Sequence, residues 1–403
     1  MLPVVSMAND EKKLHIAMFP WLAFGHMIPY LELAKLIASK GHRISFISTP
    51  RNIDRLPKIP PSLASLINFV KLPLPHVQNL PDNAEATTDV PLNLVPFLKK
   101  AYDALQDSMT LFLEDSHPDW LLYDFAPYWL PAIARNLGIP GAFFSIFIAA
   151  GLGICGTKAH LGERKSPEDY TVPPRWIPFP TTVAFRLFEV LKVFEQGLTG
   201  VEGDVPDIYR FVEMLQGCDL VAVRSCTEFE PEWLSLLEDL NGKPVLPVGQ
   251  LPTTAYDGED DTDTWRWMKA WLDMQSKGSV VYVAFGSEAK PSQIELTEIA
   301  LGLEQSGLPF FWVLRTRRGL ADTEVLDEKK IGYLIPRNDL DGSFTRDSVA
   351  ESLRLVIVEE EGKAYRGKAK EMKGLFGDRD SQDRYVNSFL GYLKTHLQPQ
   401  KVE

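Results

Sequence analysis

The sequence lacks the features that mark membrane and nucleic-acid-binding proteins. Its 403 residues include 42 Lys and Arg against 54 Asp and Glu, a formal net charge of −12, and no basic run occurs. This balance argues against nucleic acid or an anionic membrane surface as a partner. The longest apolar run, residues 143–155, is shorter than the roughly 20 residues of a membrane-spanning helix. The sequence therefore predicts no transmembrane segment.

Cysteine is also scarce. Cys155, Cys218 and Cys226 form no Cys-x-x-Cys pair and show no metal-ligand spacing, so we predict reduced thiols and no metal site. The apolar stretch at residues 1–5 is too short for the hydrophobic part of a signal peptide. We therefore expect a soluble, cytoplasmic protein.

A dinucleotide fingerprint is missing as well. No Gly-x-Gly-x-x-Gly follows the first predicted strand, residues 14–19, which argues against a nicotinamide-dependent oxidoreductase. What is present is a regular alternation of short apolar runs and helical patterns. This alternation predicts an α/β fold with a doubly wound parallel sheet. The predicted strands of the first half are 14–19, 43–48, 67–72, 120–123, 142–147, 220–224 and 245–248.

The length of the chain favours two domains. Residues 250–264 are rich in Pro, Thr, Gly and acidic residues without apolar periodicity, and this composition is typical of an interdomain linker. Helices are predicted from about Pro29 and over a stretch of about 20 residues at 92–113. In the second half, only two strands (280–285 and 309–314) are clear and a third (331–335) is doubtful, although a second doubly wound domain should hold five or six.

Two polar residues follow predicted strands of the first half. His26 lies in the turn after the first strand, and Asp124 ends the strand at 120–123. Carboxyl ends of parallel strands share one edge of a sheet, where such folds bind ligands. A carboxylate beside an imidazole is the arrangement of a general base, whereas the alternative makes Asp124 a helix cap and His26 an ordinary turn residue. Aromatic residues that could wall an apolar pocket, or simply pack in the core, are Phe125, Trp129, Phe144, Trp176 and Phe188.

A turn of Gly286 and Ser287 follows the strand at 280–285. Free backbone N–H groups and the serine hydroxyl in such a turn can bind a phosphate. Many α/β turns carry this pair without a ligand, so the turn alone is a weak signal.

With these residues in view, the chain resembles the plant UDP-sugar-dependent glycosyltransferases, and among them those that add a sugar to the sugar of a flavonoid, saponin or diterpene glycoside. The resemblance covers nearly the whole chain. The segments that carry it are 19–26 (FPWLAFGH), 48–53 (STPRNI), 82–89, 119–124, 279–288, 308–312, 330–332 and 349–356.

The resemblance implies a GT-B fold of two Rossmann-like domains that face each other. Residues 1–249 would bind the acceptor, 250–264 would link the domains, 265–380 would bind the UDP-sugar, and 381–403 would return to the first domain. It further implies that His26 deprotonates an acceptor hydroxyl and that Asp124 orients His26. Gly286 and Ser287 would hold the donor, a co-substrate, so that no cofactor is needed. The expected partners are a UDP-sugar, such as UDP-glucose or UDP-rhamnose, and a small glycoside.

The sequence departs from the family at the donor site. The family's signature has a Trp-x-Pro-Gln segment, a His-Cys-Gly-Trp-like core and an acidic residue followed by Gln. Residues 315–330 hold no His, Trp or Gln, and no histidine occurs between His160 and His396. Compared with the family's pattern, several dozen residues are expected to be absent at the junction of Leu326 and Asp327, which would shorten the C-terminal domain internally. Two hypotheses follow: an active glycosyltransferase, or a catalytically silent acceptor-binding or vestigial member.

Overall fold

The computed structural model describes residues 12–197, 203–253, 262–286, 291–313 and 332–397. The first half is built on a parallel sheet of seven strands in the order β3-β2-β1-β4-β5-β6-β7. The strands are β1 (His15–Phe19), β2 (Arg43–Ser48), β3 (Ile67–Lys71), β4 (Trp120–Tyr123), β5 (Gly141–Ser145), β6 (Leu220–Val223) and β7 (Val245–Pro247). The predicted α/β class and the parallel sheet are thus confirmed.

Helices cover both faces of this sheet. They are α1 (Phe24–Ser39), α2 (Pro50–Arg55), α3 (Val95–Asp103), α4 (Gln106–Ser116), α5 (Leu130–Asn136), α6 (Ala149–Cys155), α7 (Leu187–Gly197), α8 (Asp207–Gly217) and α9 (Pro231–Asn241). The sheet separates two layers of hydrophobic core. Successive side chains of a strand pack in opposite layers, as those of Leu122 and Tyr123 in β4 do. Burial on both faces explains why the inner strands β4, β5 and β6 are apolar runs without a polar side.

Two sequence-based helix predictions need correction. The first helix begins at Phe24 instead of Pro29, because the backbone N–H groups of His26 and Met27 already donate to the carbonyl of Ala23. The helix expected over residues 92–113 is a short 3-10 turn followed by α3 and α4, with a break at Ala104. Both helices bury apolar residues in the same core layer, and the break lets each turn its own apolar face inward.

The second half contains a smaller parallel sheet of β8 (Val281–Ala284) and β9 (Phe310–Val313). Its helices are α10 (Asp263–Asp273), α11 (Gln293–Ser306), α12 (Arg346–Ile357) and α13 (Lys363–Phe376). The doubtful third strand is wrong for residues 332–335, which form no strand, and Ile331 lies outside the described residues. A two-stranded sheet buries little, and Tyr282 of β8 is 67% exposed.

The last helix, α14 (Arg379–Thr395), lies against the first sheet. Its residue Phe389 is fully buried there, and the indole N–H of Trp120 donates to the carbonyl of Leu393 at 3.0 Å. The side-chain amide of Gln382 accepts from the N–H of Leu251 at 2.9 Å and donates to the carbonyl of Val248 at 2.7 Å.

None of the three cysteines, all of which lie in the described residues, forms a disulfide bond, and Cys218 and Cys226 are buried. Burial raises the pKa of the Cys218 thiol to about 11, so this group remains a thiol near neutral pH. None of the helices in the described part of the chain combines the length and the hydropathy that a membrane span requires.

We predict that Phe389→Ala lowers the free energy of unfolding by about 3–5 kcal/mol, because it opens a cavity between α14 and the first sheet. Urea denaturation followed by circular dichroism measures this change. Asn387→Ala, at an exposed position of the same helix, is the matched control and should stay within about 0.5 kcal/mol of the parent. Equal effects of the two substitutions would show that α14 contributes no apolar packing.

Candidate functional site

The site forms where the order of the strands reverses. β1 pairs with β2 on one side and with β4 on the other, so the carboxyl ends of β1 and β4 border the switch point at which open α/β sheets bind ligands. The register sets Phe19 beside Tyr123, which brings the two following turns together. His26 is the third residue of α1, and Asp124 directly follows β4.

The structure brings His26 and Asp124 into contact. Imidazole Nδ1 lies 2.7 Å from carboxylate Oδ2, which also accepts the N–H of Trp21 at 3.1 Å. The other carboxylate oxygen accepts the N–H of Phe125 at 2.8 Å. The side chain of Asp124 is 1% exposed and that of His26 is 12% exposed. A carboxylate on Nδ1 holds the proton on that nitrogen, so Nε2 is left with a lone pair that can accept a proton.

Two buried tyrosines lie near the carboxylate. Burial, with the negative charge of Asp124 added to it, raises the pKa of Tyr30 and of Tyr102 well above the ordinary value. Both hydroxyls donate to backbone carbonyls, that of Tyr30 to Phe144 at 2.9 Å and that of Tyr102 to Pro20 at 3.2 Å. They remain protonated, so neither competes with His26 as a base.

Aromatic rings surround the imidazole. The rings of Phe125 and Phe147 each lie 5.6 Å from that of His26, and Phe211 stacks on Phe125 at 4.8 Å. Two of these residues, Phe147 and Phe211, were not predicted from the sequence. Phe147 follows β5 at the same sheet edge, which is a signal that could have found it. Phe211 lies within α8, and no feature of the sequence separates it from a core residue.

The other aromatic residues predicted for a pocket wall lie elsewhere. Trp129 packs in the core with its indole N–H directed at Asp103, and Phe144 is buried in the opposite core layer. Trp176 stacks on the ring of His160 at 4.4 Å, and Phe188 lies beneath Gly342. For these four residues, packing within the fold accounts for their position.

The predicted donor turn is described only in part. Gly286 follows β8 with a φ of 68°, a conformation that favours glycine, and a Cβ added there would meet nothing within 4 Å. Ser287 lies outside the described residues, so its predicted role stays a prediction. Within the described ranges, no group of three or more His, Cys, Asp or Glu side chains could hold a metal ion.

The sequence and the structure of this chain can be compared with those of known proteins. No family model matches the chain. The chain is 52% identical to UDP-glycosyltransferase 91A1 of Arabidopsis thaliana, over 96% of this chain and 98% of that protein. It is 36% identical to the soyasaponin III rhamnosyltransferase of Glycine max, over 97% and 98% of the two chains.

The first of these alignments runs over 461 positions, more than the 403 residues of this chain. The alignment includes nearly all of both proteins. The residues of the relative that have no equivalent in this chain are therefore internal to the alignment and do not lie at its ends.

Among solved structures, that of Arabidopsis thaliana UGT89C1 complexed with UDP-L-rhamnose superposes with a TM-score of 0.67 at 18% identity, over 95% of this chain and all of that one. This likeness concerns the fold alone and agrees with the GT-B fold expected from the sequence. The sequence matches show the family as well, because their identities of 52% and 36% extend over nearly all of both chains. The chain belongs to the plant UDP-glycosyltransferases.

Proposed function

We propose that this protein transfers a sugar from a UDP-sugar to a hydroxyl group of a small plant metabolite, with His26 as the general base. The observation that carries the proposal is the 2.7 Å contact between His26 Nδ1 and Asp124 Oδ2 at the carboxyl edge of the first sheet. Family membership supports the same reaction. Residues 1–249 with 381–403 would bind the acceptor, and 265–380 would bind the donor.

In this reaction, Nε2 of His26 takes the proton of the acceptor hydroxyl. The acceptor oxygen forms a bond to the anomeric carbon from the face opposite UDP, and the bond from that carbon to the diphosphate oxygen breaks, so the configuration inverts. The negative charge of Asp124 stabilises the imidazolium that results. UDP leaves with the electron pair of the broken bond.

The apolar surroundings of His26 favour an acceptor with a rigid hydrophobic body. Phe125 and Phe147 flank the imidazole, and aromatic walls bury such molecules well. We infer a flavonoid, saponin or terpenoid glycoside as the acceptor class. The saponin-linked name of the Glycine max relative supports this choice.

A second candidate function is an acceptor-binding protein without turnover. It is favoured by residues 315–330, which lack the His, Trp and Gln of the family's donor signature. We propose that the relative's additional positions fall between Leu326 and Asp327, where the donor segment belongs. Holding two substrates in line is worth up to roughly 7–11 kcal/mol of the barrier, so loss of donor contacts would remove much of the rate.

We predict that His26→Ala lowers the rate of sugar transfer roughly 10²–10⁴-fold, because the proton acceptor is lost. Asp124→Asn should also lower the rate, since an amide cannot stabilise the imidazolium. Acceptor affinity, measured by fluorescence titration, should change little in both variants. Product formation with UDP-glucose and UDP-rhamnose is followed by mass spectrometry.

His76→Ala is the matched control, because the side chain of His76 is 79% exposed and belongs to neither the His26–Asp124 pair nor its aromatic surroundings. This variant should transfer sugar at the parent rate. Turnover of His26→Ala equal to that of the parent would rule out His26 as the base.

We predict weak or absent binding of UDP to the unaltered chain, because the residues that would stack the uracil and hold the ribose are missing. Isothermal titration calorimetry with UDP measures the affinity. A chimera that carries the additional segment of UDP-glycosyltransferase 91A1 between Leu326 and Asp327 should bind UDP at micromolar concentration. Micromolar affinity of the unaltered chain would contradict the prediction and remove the argument for a silent protein.

A further inference from the structure

Arg210 is a charged residue in the interior of the first half. It lies on α8, and its side chain is fully buried. Nε donates to the carbonyl of Val205 at 2.9 Å, and the two terminal nitrogens bind both carboxylate oxygens of Asp103 at 2.8 and 2.6 Å. Nη2 also lies 3.4 Å from the carboxylate of Asp204. Such a fork of planar donors is a property of arginine that lysine does not share.

The remaining N–H of this guanidinium reaches the candidate site. Nη1 donates to the carbonyl of Ala126 at 2.7 Å, and Ala126 follows Asp124 by two residues. The turn after β4 is therefore held at both ends: the carboxylate of Asp124 accepts the N–H of Phe125, and Arg210 binds the carbonyl of Ala126. The next residue of α8, Phe211, stacks on Phe125, whose ring lies beside that of His26.

The charge of Arg210 is balanced where it lies. Burial works to lower the pKa of the guanidinium, but the hydrogen bonds and charges of Asp103 and Asp204 outweigh it, so the pKa is raised. Lys99 adds a second cation, with its ammonium 2.9 Å from both Asp204 and Asp207. Arg210 thus remains a fixed cation, and its bond to Ala126 is made in addition to those that balance its charge.

We propose that Arg210 is a positioning residue for the reaction, which keeps Asp124 in hydrogen-bond reach of His26 by fixing the Phe125–Ala126 turn. This proposal rests on the roles proposed above for His26 and Asp124. The carboxylate sits on a short turn, and a displacement of about 1 Å is enough to lose a hydrogen bond and up to about 10²-fold in rate. Arg210 prevents that displacement through its bond to the carbonyl of Ala126.

The test observes the imidazole directly. In protein labelled with ¹⁵N at histidine, long-range ¹H–¹⁵N spectra report which ring nitrogen carries a proton, and the spectrum of His26→Ala assigns the signal of His26. In the parent, the Nδ1–H signal should lie at low field and exchange slowly with water. In Arg210→Met, which removes all five donors, we expect this proton to exchange at least tenfold faster.

Two further variants separate positioning from stability. Val212→Ala removes packing from a buried position of the same helix and should lower the melting temperature without changing the His26 signal. Arg210→Lys keeps the charge near Asp103 but replaces the planar fork with a single nitrogen on a shorter stem, which weakens the bond to Ala126. This variant should therefore change the His26 signal in the same direction as Arg210→Met. If Arg210→Met does not fold, Arg210→Lys decides the question.

An unchanged His26 signal in the Arg210 variants would overturn the proposal. It would also be overturned if Val212→Ala, at the same melting temperature as an Arg210 variant, showed an equally fast exchange of the His26 proton. In transfer assays, the Arg210 variants should lower kcat at least tenfold with the acceptor KM within twofold. A parent that shows the imidazole signal but transfers no sugar would contradict the proposed function, whereas the comparison of imidazole signals would still test Arg210.

Discussion

The buried carboxylate of Asp124 is the constraint on which the architecture of the site depends. A carboxylate that is 1% exposed must be matched by donors, because an unpaired charge in the interior is strongly unfavourable. The donors are the N–H of Trp21, the N–H of Phe125 and the imidazole of His26, so two turns and one helix end converge on it. Their convergence requires the register of β1 and β4. The same hydrogen bonds that make the carboxylate tolerable also fix the tautomer of the imidazole.

Much of this could be predicted from the sequence because it depends on local patterns. Apolar runs located the strands, and the position of His26 and Asp124 directly after two of them was enough to expect their contact. The start of α1 was missed because Pro29 resembles a helix start, although the first helical hydrogen bonds come from His26 and Met27. Arg210 was missed for a different reason: it meets Ala126 across 84 residues of chain, and such a contact has no local signature.

The two halves of the protein differ in how completely they bury their sheets. The seven strands of the first sheet have helices on both faces and lie between two extensive core clusters, to which α13 adds Met372 and α14 adds Phe389. In the described part of the second half, the buried residues beside β8 and β9 form a small cluster of Val281, Ile299 and Leu303. The hydrogen bonds around Asp124 join residues of the first half alone, namely Trp21, His26 and Phe125.

The contact of Gln382 has a consequence for the outer edge of the first sheet. β7 is the last strand in the order, and the backbone that follows it presents the carbonyl of Val248 and the N–H of Leu251 to Gln382. A primary amide offers one acceptor and a pair of donors, so the side chain of Gln382 pairs with this backbone as a short neighbouring strand would. Exposed strand edges are where proteins join into aggregates. Gln382 of the returning helix occupies these two backbone groups, which would otherwise be open to hydrogen bonds from another chain.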